Sequence, residues 1–157
     1  ATMSDTQHQT TESAVIVRRI EDELKARGID LYLIVSREDS DPIVARILNA
    51  HVVAQTAFLF RANGEHLVLT GRTDAMAYDG YPFFREIIAM EEGFDVEFAR
   101  VFERLQPKRV ALNICEDDPQ YDGLRWGLYQ QLQEIVGADE LRAMEVSSAE
   151  MLRAVLQ

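Results

Sequence analysis

The chain has 157 residues, of which 47% are apolar, and a formal charge of −11. That length and apolar content fit one domain with a real core, and the charge argues against a nucleic-acid backbone as partner. No apolar run approaches the ~20 residues of a membrane span, no signal peptide opens the chain, and a lone cysteine, Cys115, excludes an intrachain disulfide or a cysteine-rich zinc site. These features point to a cytoplasmic protein.

Residues 1–10 are polar and aperiodic and are read as a disordered tail or expression remnant, leaving 11–157 as the folded domain. Thr11 or Ser13 is the expected cap of a helix running to Arg27, with Val15, Ile16, Ile20 and Leu24 on one stripe and Gly28 as its stop. Leu31 to Val35 is a continuous apolar run, as in a strand covered on both faces. Ser36 to Pro42 is then a polar loop at that strand's carboxyl end, and Pro42 opens a helix to Leu48 with Asp41 as cap. Thr56 to Arg61 and His66 to Thr70 read as two strands joined by an Asn63-Gly64 hairpin turn.

Arg72 to Tyr78 is a short helix candidate, and Phe84 to Ala89 is a strand. Gly93 to Leu105 is helical, with Phe94, Phe98, Val101, Phe102 and Leu105 on its apolar face. Arg109 to Ile114 predicts a strand, followed by an acidic loop and a helix from Gly123 that ends near Gly137. Leu141 to Val146 is read as a last strand, and Ser147 to Glu150 as the capping box of a final helix through Leu156. Helices alternating with strands around one hairpin predict a three-layer α/β domain with a mixed, largely buried sheet.

Chemistry is expected first at carboxyl ends of strands. Glu116, Asp117 and Asp118 are the densest acid group and would suit Mg²⁺ or Mn²⁺ if they converged. Consecutive side chains point different ways, so a solvated loop with a helix cap is the stronger reading. Arg37, Glu38, Asp39 and Asp41 form a second charged group at a strand end. If their strands were neighbours, the two loops could share a cleft. Arg72 suits an anion or, more simply, a surface ion pair to Asp74. Cys115 precedes three acids, which disfavour a thiolate nucleophile. His8, His51 and His66 are scattered, and there is no zinc-protease helix, nucleophile elbow or phosphate loop. Nothing assembles a nucleophile, a base and an oxyanion site, so no catalytic residue is assigned.

The order of these segments resembles the amino-terminal domain of the creatinase/prolidase family, which includes Xaa-Pro dipeptidases, aminopeptidases P and creatinase. The resemblance runs from the helix ending Arg27-Gly28-Ile29-Asp30, through Ala57-Phe58-Leu59-Phe60 and Asn63-Gly64, to Leu67-Val68-Leu69-Thr70-Gly71-Arg72. Pro107-Lys108-Arg109-Val110-Ala111 and the Ser147 to Arg153 segment complete it. It implies a ribonuclease-H-like topology and a non-catalytic role in a metallopeptidase-like hydrolase. It also implies a homodimer and a carboxyl-terminal pita-bread domain that holds two divalent metal ions (Mn, Co or Zn). None of that domain's ligands is in this chain. Arg37, Glu38, Asp39, Asp41 and Arg72 become candidates for an interface or cross-subunit loop. The chain departs from the family after the first strand, where Val44 to Asn49 replaces a Tyr-Leu-Thr-Gly-like run, so no proline specificity follows. The alternatives are a free-standing binding or regulatory domain and, behind it, a metal-dependent phosphodiester enzyme using Glu116, Asp117 and Asp118.

Overall fold

The structure, a computed structural model, describes the backbone of residues 3–157 and side chains from Thr10 onward. Helix α1 spans Met3–Arg27 and β1 follows at Leu31–Ser36, with Gly28 in the left-handed region between them (φ 68°). The helix therefore begins well before the caps expected at Thr11 or Ser13. The tail expected over residues 1–10 falls in part on residues 1 and 2, outside the described residues. Then come α2 (Ile43–Leu48), β2 (Thr56–Arg61), β3 (His66–Gly71), a 3-10 turn at Ala75–Tyr78 where a short helix was expected, and β4 (Phe84–Met90). The remainder is α3 (Phe94–Leu105), β5 (Val110–Leu112), a 3-10 turn at Pro119–Tyr121, α4 (Trp126–Val136), α5 (Ala138–Met144), β6 (Glu145–Ser147) and α6 (Ala149–Leu156).

The six strands lie in the order β4-β3-β2-β1-β5-β6. β2 pairs antiparallel with β1 and β3, whereas the β1–β5, β3–β4 and β5–β6 ladders are parallel. β2 alone therefore runs against the other five, because the short connection of residues 62–65 returns the chain antiparallel as β3. Tyr32, Ile34, Phe58, Phe60, Val68 and Ala111 pack with α1, α2 and α6. Leu31, Leu33, Val35, Leu59, Leu69 and Leu112 pack with α3, α4 and α5 on the other face. The period of two along each strand thus divides the core into two layers around the sheet.

Two local expectations fail. Residues 138–144 are helix, and only Glu145–Ser147 is strand. Ala138, Asp139 and Glu140 make a favourable acidic first turn, and Leu141 is the buried anchor. Leu141, Met144 and Val146 did not distinguish the two periods. The capping box at Ser147–Glu150 does not form either. Ser147 remains in β6, donates its hydroxyl to the Ile114 carbonyl and accepts from the Ala149 N–H at 3.2 Å, while Ser148 donates inward to Asn113.

His66 opens β3 with none of its side chain exposed. Its Nδ1 accepts from the Arg61 N–H at 3.0 Å, so the proton sits on Nε2, 3.1 Å from Glu21 Oε2. Burial pushes His66 below its ordinary value, outweighing the attraction of Glu21. The folded chain thus holds a neutral ring, while the unfolded chain protonates near the usual ~6.5. Its contribution is present above that value and is lost as pH falls through it. In thermal melts from pH 7.5 to 5, His66→Gln is expected to show a shallower acid loss of Tm than the parent; an unchanged slope would remove His66 from the acid limb.

Candidate functional site at the carboxyl end of the sheet

β1 and β5 are parallel neighbours, so their carboxyl ends open side by side. The first residue beyond β5, Asn113, is 1% exposed and organises the ground between them. Its Oδ1 accepts from the Tyr32 hydroxyl at 2.7 Å and the Ser148 hydroxyl at 2.6 Å. Its Nδ2 donates to Asp41 Oδ2 at 2.8 Å. Asp41 Oδ1 accepts from the Ile43 N–H at 3.0 Å, which is the helix cap expected of it, and the Asp41 N–H donates to Ser36 Oγ at 3.1 Å. Tyr32, Ser36, Asp41, Asn113 and Ser148 are all buried. No buried side-chain nitrogen or oxygen among the described residues lacks a partner.

The electrostatics follow from that enclosure. Burial holds the Asp41 carboxyl above its ordinary range, opposed by the donors from Asn113 and Ile43 and by the Arg125 charge. A folded chain that binds this proton more tightly is favoured most below the ordinary carboxylate value. That advantage fades as pH rises through the raised one. Burial likewise raises Tyr32 well above its ordinary value, so its hydroxyl remains a donor. Each member of the group has a hydrogen-bond partner, and its chemistry is that of a clasp joining β1, β5 and the start of α6.

Around the clasp, the residues singled out from the sequence separate. Arg37, Glu38 and Asp39 are exposed on the loop after β1. Glu38 and Asp39 are both left-handed (φ 51° and 55°), held there by N–H bonds to the Val53 and Val52 carbonyls at 3.1 and 2.8 Å. The Asp39 carboxylate accepts from the Val52 N–H at 2.7 Å and pairs with His51 at 3.1 Å; the backbone donor first, then His51, holds it below its usual range. With Ser40, Gln55, Arg125, Gly127 and Gln131 this loop lines an open depression of about 660 Å³. Asp41 lies beneath it, not in it. Arg72 is exposed and in no ion pair among the described residues, because Asp74 instead accepts from the Ala54 N–H at 3.1 Å.

The second acid group turns away. Asp117 accepts from the Cys115 thiol at 3.1 Å, and Asp118 caps the Pro119–Tyr121 turn through the Gln120 N–H and pairs with Arg153 at 3.3 Å. Glu116 and Asp117 line a different depression, beside β6 and α6. The strands are neighbours, yet the two acid loops do not share a cleft. Among the described residues no three His, Cys, Asp or Glu side chains are placed to hold a metal ion, Glu116, Asp117 and Asp118 included. The clasp itself was missed from sequence. Its signal was a polar Asn113 directly after a fully apolar strand, aligned with a buried tyrosine two strand positions away.

This is a ribonuclease-H-like mixed sheet between two helical layers, with a hydrogen-bonded clasp where its parallel strands end. Solved structures share that architecture. An aminopeptidase P from Streptococcus thermophilus superposes with a TM-score of 0.66 at 12% identity, covering 92% of this chain and 98% of that one. The creatinase/prolidase N-terminal domain of an X-PRO dipeptidase from Streptococcus pyogenes gives 0.64 at 11% identity, covering 90% and 98%. An Xaa-Pro dipeptidase from Bacillus anthracis gives 0.62 at 16% identity over 89% of this chain, which spans 34% of that one. No protein-family model and no curated protein sequence matches the chain. The fold is that of creatinase/prolidase amino-terminal domains.

No helix among the described residues is long and apolar enough to cross a membrane.

Proposed function

We propose that this chain serves as the non-catalytic amino-terminal domain of an Xaa-Pro peptidase-like metallohydrolase. It contributes to oligomerisation and shapes the active site of a carboxyl-terminal catalytic domain, in a cytoplasmic homodimer. The observation that carries this reading is the fold shared with the creatinase/prolidase N-terminal domain of the Streptococcus pyogenes X-PRO dipeptidase, over 90% of this chain and 98% of that one. The one-third share of the Bacillus anthracis chain supports a further, larger domain in the parent. Two divalent metal ions, Mn, Co or Zn, would belong to that domain. The exposed rim of Arg37, Glu38, Asp39 and Arg72 is the surface we assign to it or to the partner subunit, with Asp41 acting from below to hold the loop.

The test is the reading frame and its product. A parent that continues past Gln157 into a chelator-sensitive hydrolase supports the reading, and Arg37→Ala in that parent should raise KM or lower kcat without loss of fold. A stop codon directly after Gln157, or Xaa-Pro cleavage by this chain alone, overturns it. Trp126 is 68% exposed on the same end of the sheet, stacked on Tyr129 with centroids 5.8 Å apart. Trp126→Ala should change the unfolding free energy of the isolated chain by less than about 0.5 kcal/mol, as exposed substitutions do. A larger loss in denaturant melts would show that the ring supports this domain itself.

A further inference from the structure

The turn that joins β2 to β3 brings together the two groups of a chemical reaction. Asn63 precedes Gly64, whereas the chain's other asparagines, Asn49 and Asn113, precede Ala50 and Ile114. Asparagine is among the thermally labile residues. Its side-chain amide carbon is one five-membered ring closure away from the next backbone nitrogen, so the two are held in proximity by the chain itself. A side chain on the following residue crowds that approach, and glycine has none. Asn63 is exposed, and Gly64 stands in the left-handed region at φ 84°.

In the folded turn each participant is engaged. The Gly64 N–H donates to the Arg61 carbonyl at 3.0 Å. Asn63 Oδ1 accepts from the Glu65 N–H at 2.9 Å, and Asn63 Nδ2 donates to Glu65 Oε2 at 3.4 Å. Glu65 is itself paired with Arg61 at 3.3 Å. Attack on Asn63 Cγ needs the Gly64 nitrogen stripped of its proton and turned toward the side chain. The Gly64–Arg61 and Glu65–Asn63 bonds must therefore open first.

We infer that Asn63 is a site of self-modification, gated by the opening of this hairpin end. In the open turn the Gly64 nitrogen bonds to Asn63 Cγ and the Cγ–Nδ2 bond breaks. Nδ2 leaves as ammonia with the proton that Gly64 gave up, and a cyclic imide remains. Water opens the imide at Cγ to give aspartate, or at the Asn63 backbone carbonyl to give isoaspartate. Aspartate places a second carboxylate where Nδ2 had donated to Glu65, with the Glu21 carboxylate already packed against Gly64. Isoaspartate lengthens the main chain by one carbon in a turn whose length sets the register of Ala57↔Leu69, Phe58↔Val68 and Leu59↔Leu67. It also disturbs His66, whose ring accepts from the Arg61 N–H and meets Glu21 on α1. A transient opening of the turn is thus converted into a lasting loosening of β2, β3 and their contact with α1. The reaction involves neither the charged rim nor any other domain, so it stands or falls independently of the proposed function.

Intact mass and peptide mapping of the chain, incubated at 37 °C and pH 8 with and without urea, test it. A gain of one dalton is expected, confined to the peptide that holds Asn63. It should appear at least about tenfold faster in urea, where the turn is always open. Asn63→Gln, whose ring would need six members, should abolish the gain; measured in urea, that comparison does not depend on the variant's fold. The modified chain should melt at a lower Tm than fresh chain. No gain in urea, or a first gain at Asn49 or Asn113, overturns the site. Equal rates with and without urea overturn the gate, and an unchanged Tm overturns the loosening.

Discussion

Asn113→Leu is expected to lower the unfolding free energy by about 4 kcal/mol, the largest loss of any single substitution considered, because three buried partners lose their counterpart at once. The Tyr32 and Ser148 hydroxyls lose their shared acceptor, and Asp41 Oδ2 loses its donor. Leaving a buried polar group unpaired costs about 1–3 kcal/mol, and more for a charged one. The Asp41 term dominates, since its carboxylate already lies in a desolvated site. Tyr32→Phe removes one hydroxyl with its hydrogen bond and should cost only about 1 kcal/mol. Combining the two changes should therefore give less than the sum, because Asn113→Leu has already broken the bond that Tyr32→Phe removes. Urea melts at pH 7 on the four proteins of the cycle would check this. A loss below about 1 kcal/mol for Asn113→Leu would mean that water takes over the orphaned groups.

Gly123→Ala should cost about 3 kcal/mol, near the upper end of what overpacking does. A Cβ built on Gly123 falls inside contact distance of all three terminal atoms of the Asp41 side chain, nearest to Oδ1. Asp41 cannot retreat without giving up the Ile43 N–H or Asn113 Nδ2. The cost is thus steric and electrostatic together, with no contribution from an unusual backbone angle at this position. The discriminating comparison is the same glycine change made on Asp41→Ala. With the carboxylate gone the methyl has room, and adding Gly123→Ala should then cost less than about 1 kcal/mol. Equal costs in both backgrounds would show that the methyl strikes something other than Asp41.

The parts of the fold that were legible in the sequence are those where one period dominates. β2 and β3 stand at the predicted residues because an Asn-Gly turn sets the register of both strands at once. α3 was readable from Phe94, Phe98 and Phe102, which stack in succession along one face. β5 shrank to three residues because Arg109, Asn113 and Ile114 leave the ladder to serve the loops at its two ends. Residues 138–144 failed because a seven-residue helix and a strand impose nearly the same demands on Leu141, Met144 and Val146. The clasp was illegible for a different reason. Its members come from four separated segments, and each looked ordinary alone: a tyrosine in an apolar run, a serine before a helix, an asparagine after a strand. Only the adjacency of β1 and β5, a property of the whole topology, turns them into one object. Asp41 shows the contrast within a single loop. Its neighbours Arg37, Glu38 and Asp39 have the same polar character and remain in solvent; the sequence marked Asp41 as a helix cap before Pro42, but not as buried.

The placement of β1 also bears on the order in which the chain assembles. Its antiparallel partner β2 lies close in sequence and pairs with it along six residues, from Leu31↔Arg61 to Ser36↔Thr56. Its parallel partner β5 arrives some 80 residues later and is matched at only two positions, Leu31↔Val110 and Tyr32↔Ala111. Closing short loops precedes closing long ones, because the entropy of the intervening chain must be given up before distant contacts return anything. Loop closure is therefore expected to favour β1–β2–β3 as the first part to form and the β5–β6–α6 end as the last to dock, which φ-values higher in β2 and β3 than in β5 would check. On that order, Asn113 and Ser148 would reach Tyr32 only in the final step. The clasp then acts as a latch, distinguishing a completed domain from a nearly completed one.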